Sequence, residues 1–136
     1  MITPTTIGRI LSRDCKALGI TSIYVVWPGD DSDEIPTGEV KDERIVIIPK
    51  SQGPGTYWRK SFNEVNILVP RIANRPNRIR LEELEQQAMT LLDDAVGHYA
   101  NITYSYSVQS IGPKTDDSLH CEYVNVRILF EVLNVK

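Results

Sequence analysis

From Arg80 to Tyr99 apolar residues recur every three or four positions, at Leu81, Leu84, Ala88, Leu91, Leu92, Ala95, Val96 and Tyr99. That spacing draws one continuous apolar stripe along a helix. Glu82, Glu83, Glu85, Gln86, Asp93 and Asp94 take much of the remaining surface. Such a helix must lay its stripe on something, and the flanking sequence offers strands. Ile23–Trp27 is β-branched and aromatic and stops at Pro28-Gly29. Arg44–Ile48 is apolar on both faces over Ile45, Val46, Ile47 and Ile48, which predicts a strand covered on both sides. A long alternating stretch runs from Tyr57 to Val69, with Val65, Ile67 and Val69 on one face and Pro70 closing it.

Beyond Tyr99, Ile102, Tyr104, Tyr106 and Val108 face one way and Thr103, Ser105, Ser107 and Gln109 the other. In a last strand Val124, Val126, Ile128, Phe130 and Val132 share a face, and Gly112–Ser118 reads as the hairpin between the two. At the other end of the chain, Thr5 or Thr6 caps a first helix that buries Ile7, Ile10, Leu11 and Leu18, and Gly19 suits the left-handed residue that ends it. Asn77 is an N-cap for the long helix, with Glu82 and Glu83 near the positive end of its dipole. The predicted order is α-β-β-β-α-β-β in a single α+β domain spanning residues 1–136. Meander-like connections favour an antiparallel sheet, with room for a mixed pairing, and both helices packed on one face.

A length of 136 residues suits one core rather than two, and 41% hydrophobic with 24% charged residues is ordinary for a globular chain. A net charge of −3 lacks the basic excess of a dedicated nucleic-acid binder. No apolar stretch approaches the roughly 20 residues of a membrane helix. Met1–Ile7 has neither the charged start nor the apolar run of a secretion signal, so a cytoplasmic setting is expected, with Cys15 and Cys121 reduced and structural.

Chemical motifs are sparse. His120 and Cys121 are adjacent on a strand, so their side chains point to opposite faces, out of the reach a nucleophile and its base need. His98 falls near the predicted helix end, where a cation is favourable. No close-spaced ligand pair brings His98, His120, Cys15 and Cys121 together as a metal site. The run Gly29–Glu34 lacks the glycine and distal glutamate of a calcium loop, and Lys50–Thr56 lacks the Gly-Lys-Ser/Thr order of a phosphate loop. No cofactor is implied. Two charged segments remain: a basic loop with Arg71, Arg75, Arg78 and Arg80, and an acidic excursion over residues 29–43 that includes Asp30, Asp31 and Asp33. Loops on a rigid scaffold are where recognition concentrates.

Ile45-Val-Ile-Ile-Pro49, then Val65-Asn-Ile-Leu-Val-Pro-Arg71, then the helix from Leu81 and the closing strands resemble the tail terminator and tail completion proteins of tailed bacteriophages and prophages. The long acidic excursion departs from that pattern. The resemblance implies a non-enzymatic structural protein of the virion or the bacterial host cytoplasm. It would form rings, typically hexameric, between tail-tube and head-connector proteins, with no membrane and only incidental DNA contact. A ring needs a heterologous interface whose rotation closes. Arg59, Lys60, Asn63 and Glu64 on the long strand, with the basic loop and with Asp30, Asp31 and Asp33 of the acidic excursion, are the expected contact residues, the two oppositely charged loops meeting across a heterologous contact. Two other classes compete. One is a small ligand-binding α+β domain with a pocket between long helix and sheet, lined by Tyr104, Tyr106 and Phe130. The other is a small hydrolase, disfavoured because no nucleophile, base and orienting group can be named.

Overall fold

The computed structural model describes residues 3–27, 34–50, 60–100 and 102–132. Helix α1 spans Pro4–Cys15. Its cap is Thr3, not Thr5 or Thr6: the Thr6 amide donates to Thr3 Oγ1 at 3.1 Å. Pro4 fills the first turn, where its missing N–H costs nothing. A 3₁₀ turn, Lys16–Leu18, follows, and Gly19 ends it at φ 81°. Ile7, Ile10, Leu11 and Cys15 are buried.

The strands are β1 (Ile23–Val25), β2 (Arg44–Ile48), β3 (Lys60–Pro70), β4 (Ala95–Tyr99), β5 (Ile102–Asp116) and β6 (Cys121–Val132), with helix α2 (Arg78–Leu92) between β3 and β4. They form one sheet in the order β1-β2-β3-β6-β5-β4. β1 and β2 are parallel and every other pair is antiparallel, so the sheet is mixed. A parallel neighbour needs a long crossover, and residues 26–43 supply its length.

The long helix is shorter than its apolar stripe. Asn77 caps it, accepting the Arg80 amide on Oδ1 at 3.2 Å, but it stops at Leu92. Asp93 is extended and Asp94 sits at φ 54°. Short acidic side chains compete for nearby backbone groups and weaken helices: Asp93 Oδ1 accepts the Val108 amide at 3.0 Å instead. Ala95–Tyr99 then turns back as β4, pairing Tyr99 with Ile102 and Ala95 with Tyr106. The described residues therefore hold one strand more than the pattern predicts, and His98 belongs to that strand, exposed and 3.1 Å from Thr103 Oγ1, not to a helix end.

The predicted hairpin at Gly112–Ser118 is also displaced. β5 runs on through Gly112 and Pro113 to Asp116, and a 3₁₀ turn at Asp117–Leu119 with His120 at φ 51° makes the link. Only Ile102–Tyr106 of β5 are paired with β4. Among the described residues no strand lies beside the outer edge of the remainder, where a proline is tolerated.

Side chains of α1, α2 and all the strands share one core, from Ile7 and Leu11 through Leu84 and Leu92 to Val65, Ile67, Val126 and Phe130. Tyr104, Tyr106 and Phe130 stack inside it, with centroids 5.1–6.3 Å apart. A second, smaller cluster of Val40, Leu68 and Cys121, with Val46, Leu119 and Tyr123 against it, takes the alternate positions of β2, β3 and β6. β2 is thus covered on both sides, as its unbroken apolar run implies.

Candidate interaction surfaces

The end of the sheet where β3 finishes carries the basic segment. Its tip is a tight turn, Ile72-Ala73-Asn74-Arg75, in which Ile72 and Arg75 exchange backbone hydrogen bonds at 3.0 Å and Ala73 and Asn74 both have positive φ. Two-residue turns of this kind fit the twist between paired backbones. The four arginines then separate into two kinds. Arg71 is held inside: Nε and Nη2 donate to the buried Glu122 carboxylate at 2.9–3.3 Å, and Nη2 also reaches Asp117 Oδ1 at 2.9 Å. Arg80 grips Glu43 with two donors at 2.7 and 2.9 Å and adds Glu83 at 3.1 Å. These hydrogen bonds raise both guanidinium pKa values further above their ordinary range. Arg71 and Arg80 fasten the segment to β6 and to the stretch before β2. The side chains of Arg75 and Arg78 are exposed and make no hydrogen bond or ion pair among the described residues. Flanking them along the chain are two large apolar side chains open to solvent, Ile72 at 63% and Ile79 at 75%.

The expected contacts on β3 divide similarly. Asn63 is fully buried; its amide donates to Ser61 and its Oδ1 accepts the Lys50 amide at 2.9 Å, so within the chain it braces the start of β3. Lys60 lies 3.8 Å from Glu131, and Glu64 lies 3.4 Å from Lys50. Arg59, Asp30, Asp31 and Asp33 lie outside the described residues.

At the opposite end of β5 and β6 the hydroxyl-bearing face takes part in a shallow notch. It holds about 170 Å³ and is lined by Asp94, Val96, Ser105, Tyr106, Ser107, Leu129 and Glu131. Val96 is 68% exposed. The Asp94 side chain is exposed and makes no hydrogen bond or ion pair among the described residues. Strand alternation alone marks the hydroxyl face of Ser105 and Ser107, but not Val96, because helical spacing sets Val96 on a stripe with Leu92 when it points outward from a strand. Beside the notch Arg127 lies 4.3 Å over the ring of the partly exposed Phe62.

The three rings proposed to line a ligand pocket fill the space themselves. Tyr104 and Phe130 are fully buried, the Tyr104 hydroxyl accepts from Arg13 Nη2 at 2.6 Å, and the Tyr106 hydroxyl donates to Asp14 Oδ2 at 2.5 Å. Burial and that bond to Asp14 push the Tyr106 pKa up. Cys15 and Cys121 are buried free thiols, displaced by burial to about 12 and about 11 respectively. No described helix is long and apolar enough to cross a membrane.

No family model and no curated protein matches the chain. A solved structure whose name describes no activity superposes with a TM-score of 0.59 at 14% identity, over 98% of this chain and 96% of its own. That likeness concerns the fold alone.

Proposed function

We propose that this chain is a structural assembly protein of a tailed phage or prophage, a tail terminator or head–tail joining component. It acts by forming a ring through contacts with copies of itself and with tail-tube and connector proteins, not by turnover. In this reading both helices cover one face of the sheet, and the other face and the strand ends serve assembly. The observation that supports it most is the outer edge of β5, where residues 107–116 have no strand beside them among the described residues. Such an edge is a template for another chain, and main-chain pairing there gives affinity without a pocket. The sequence resemblance through Ile45–Pro49 and Val65–Arg71 points the same way.

The test is electron microscopy and native mass measurement of the purified chain, alone and with tail tubes of the phage whose genes flank it. Rings, with hexamers the expected form, seated at tube ends support the reading. A chain that stays monomeric and never decorates tube ends overturns it.

A further inference from the structure

We infer that the turn Ile72–Arg75 and the start of α2 form a knob that seats in the Asp94/Val96 notch of a second copy of this chain, head to tail. The inference rests on the self-assembly reading above and names the contact.

Four observations carry it. The knob presents two arginines without partners among the described residues, Arg75 and Arg78, beside two exposed isoleucines. The notch presents the complement: among the described residues the Asp94 side chain has no partner and Glu131 has only Lys60, at 3.8 Å, and beside them stand the apolar Val96 and Leu129. Its 170 Å³ is the scale of a cavity that takes up a small apolar group, about 150 Å³ for benzene. The two patches also cannot meet within one molecule. The knob follows Pro70, which pairs with Cys121 at one end of β6, whereas the notch includes Leu129 and Glu131 near the other. At about 3.3 Å per residue, Cys121 is separated from Leu129 and Glu131 by roughly 25–35 Å along the strand.

Two different patches at opposite ends of one sheet make a heterologous contact, the kind that generates a ring when its rotation closes. The charges set register and speed the approach, and the isoleucines entering the notch supply the burial that lasts. The knob is rigid before contact, because Arg71 and Arg80 fasten both sides of it to the body of the fold, so little ordering entropy is lost on docking.

The experiment uses the full chain with single cysteines introduced at the two patches. Ile79→Cys and Val96→Cys proteins are mixed in equal amounts under mild oxidation, and cross-linked peptides are quantified by mass spectrometry. The native thiols Cys15 and Cys121 are buried and give little background. The expected result is an Ile79→Cys to Val96→Cys cross-link at least tenfold over either symmetric product, falling with added salt. Arg75→Glu with Arg78→Glu should abolish it, and Asp94→Arg in the Val96→Cys partner should restore it against the reversed knob. Symmetric or statistical cross-linking overturns the inference. Rings that form without this cross-link overturn it too but leave the ring reading standing. Chains that neither cross-link nor assemble on tube ends overturn both.

Discussion

Replacing Gly97 by alanine tests whether the edge strand and the aromatic core are locked together. Glycine in a strand is ordinarily a weakness, and alanine there is favoured by about 0.5–1 kcal/mol. At this position a Cβ would stand 2.7 Å from Tyr104 Cζ and closer still to its hydroxyl, where ordinary contact begins at 3.4 Å. The ring has nowhere to retreat: it is stacked on Phe130 at 5.1 Å, and its hydroxyl is held by Arg13 at 2.6 Å. Either the ring is forced off its stack, at about 1–3 kcal/mol for overpacking, or β4 lifts away from β5 and ladder bonds weaken. Disturbing the Arg13 hydrogen bond adds roughly 0.5–1.5 kcal/mol. Set against the backbone gain, Gly97→Ala should destabilise by about 1–3 kcal/mol, read as a lower urea midpoint at unchanged slope. In a Tyr104→Phe background the nearest atom is gone, so the cost should shrink and the double-mutant cycle should show coupling of at least about 0.5 kcal/mol. A Gly97→Ala protein as stable as the parent, or more stable, would refute the reasoning.

Leu92→Ala should cost about 2–5 kcal/mol because Leu92 is fully buried, whereas Leu91→Ala, at a half-buried position, should cost clearly less; equal costs in urea titrations would place Leu91 as deep in the core as Leu92 and refute this. Arg75→Glu with Arg78→Glu should leave the melting temperature of the isolated chain unchanged, while Arg80→Glu should lower it by setting a carboxylate against Glu43 and Glu83. Cys15 and Cys121 should resist iodoacetamide at pH 8 until the chain is unfolded. Both thiols titrate above their ordinary 9.0 in the folded state, Cys15 near 12 and Cys121 near 11. Their contribution to stability is therefore intact below about pH 9 and lost as pH rises toward 11–12, with a slope of up to about 1.4 kcal/mol per pH unit for each thiol. Cys15→Ala should flatten that alkaline decline, and an unaltered profile would exclude the thiol as its cause.

Much of this fold is legible where local chemistry decides. Asn77 as a cap, Gly19 as a left-handed stop and β2 at Arg44–Ile48 follow from single residues or an unbroken run. The end of the long helix does not. Ala95, Val96 and Tyr99 satisfy helical spacing, while Ala95, Gly97 and Tyr99 equally satisfy strand alternation, and Asp93-Asp94 tips the balance only because β5 waits to pair. The parallel β1–β2 pairing depends on where a long excursion returns, which no periodicity encodes. The basic segment shows the same limit. Arg71 and Arg75 look alike in sequence, yet the partner that takes Arg71 inside lies 51 residues away and the one that takes Arg80 lies 37 away. Once Val96 is read as helical, the notch beside it is invisible.

Pro113 gives the outer edge of β5, beside which no strand lies among the described residues, a selectivity of its own. The Val108 amide points outward, toward Asp93. A bulge between Val108 and Ser110 inserts one residue and reverses which backbone groups face out. Ile111, Pro113 and Thr115 consequently present their backbone to the open side, and the nitrogen that cannot donate is turned away from β6. An incoming strand meets donors at Ile111 and Thr115 with a gap between them. Any alignment that buries a carbonyl against that gap forfeits a hydrogen bond, at about 1–3 kcal/mol. The proline works as a key. A strand added there would need acceptors that skip one position, which disfavours the indiscriminate pairing that leads to aggregates.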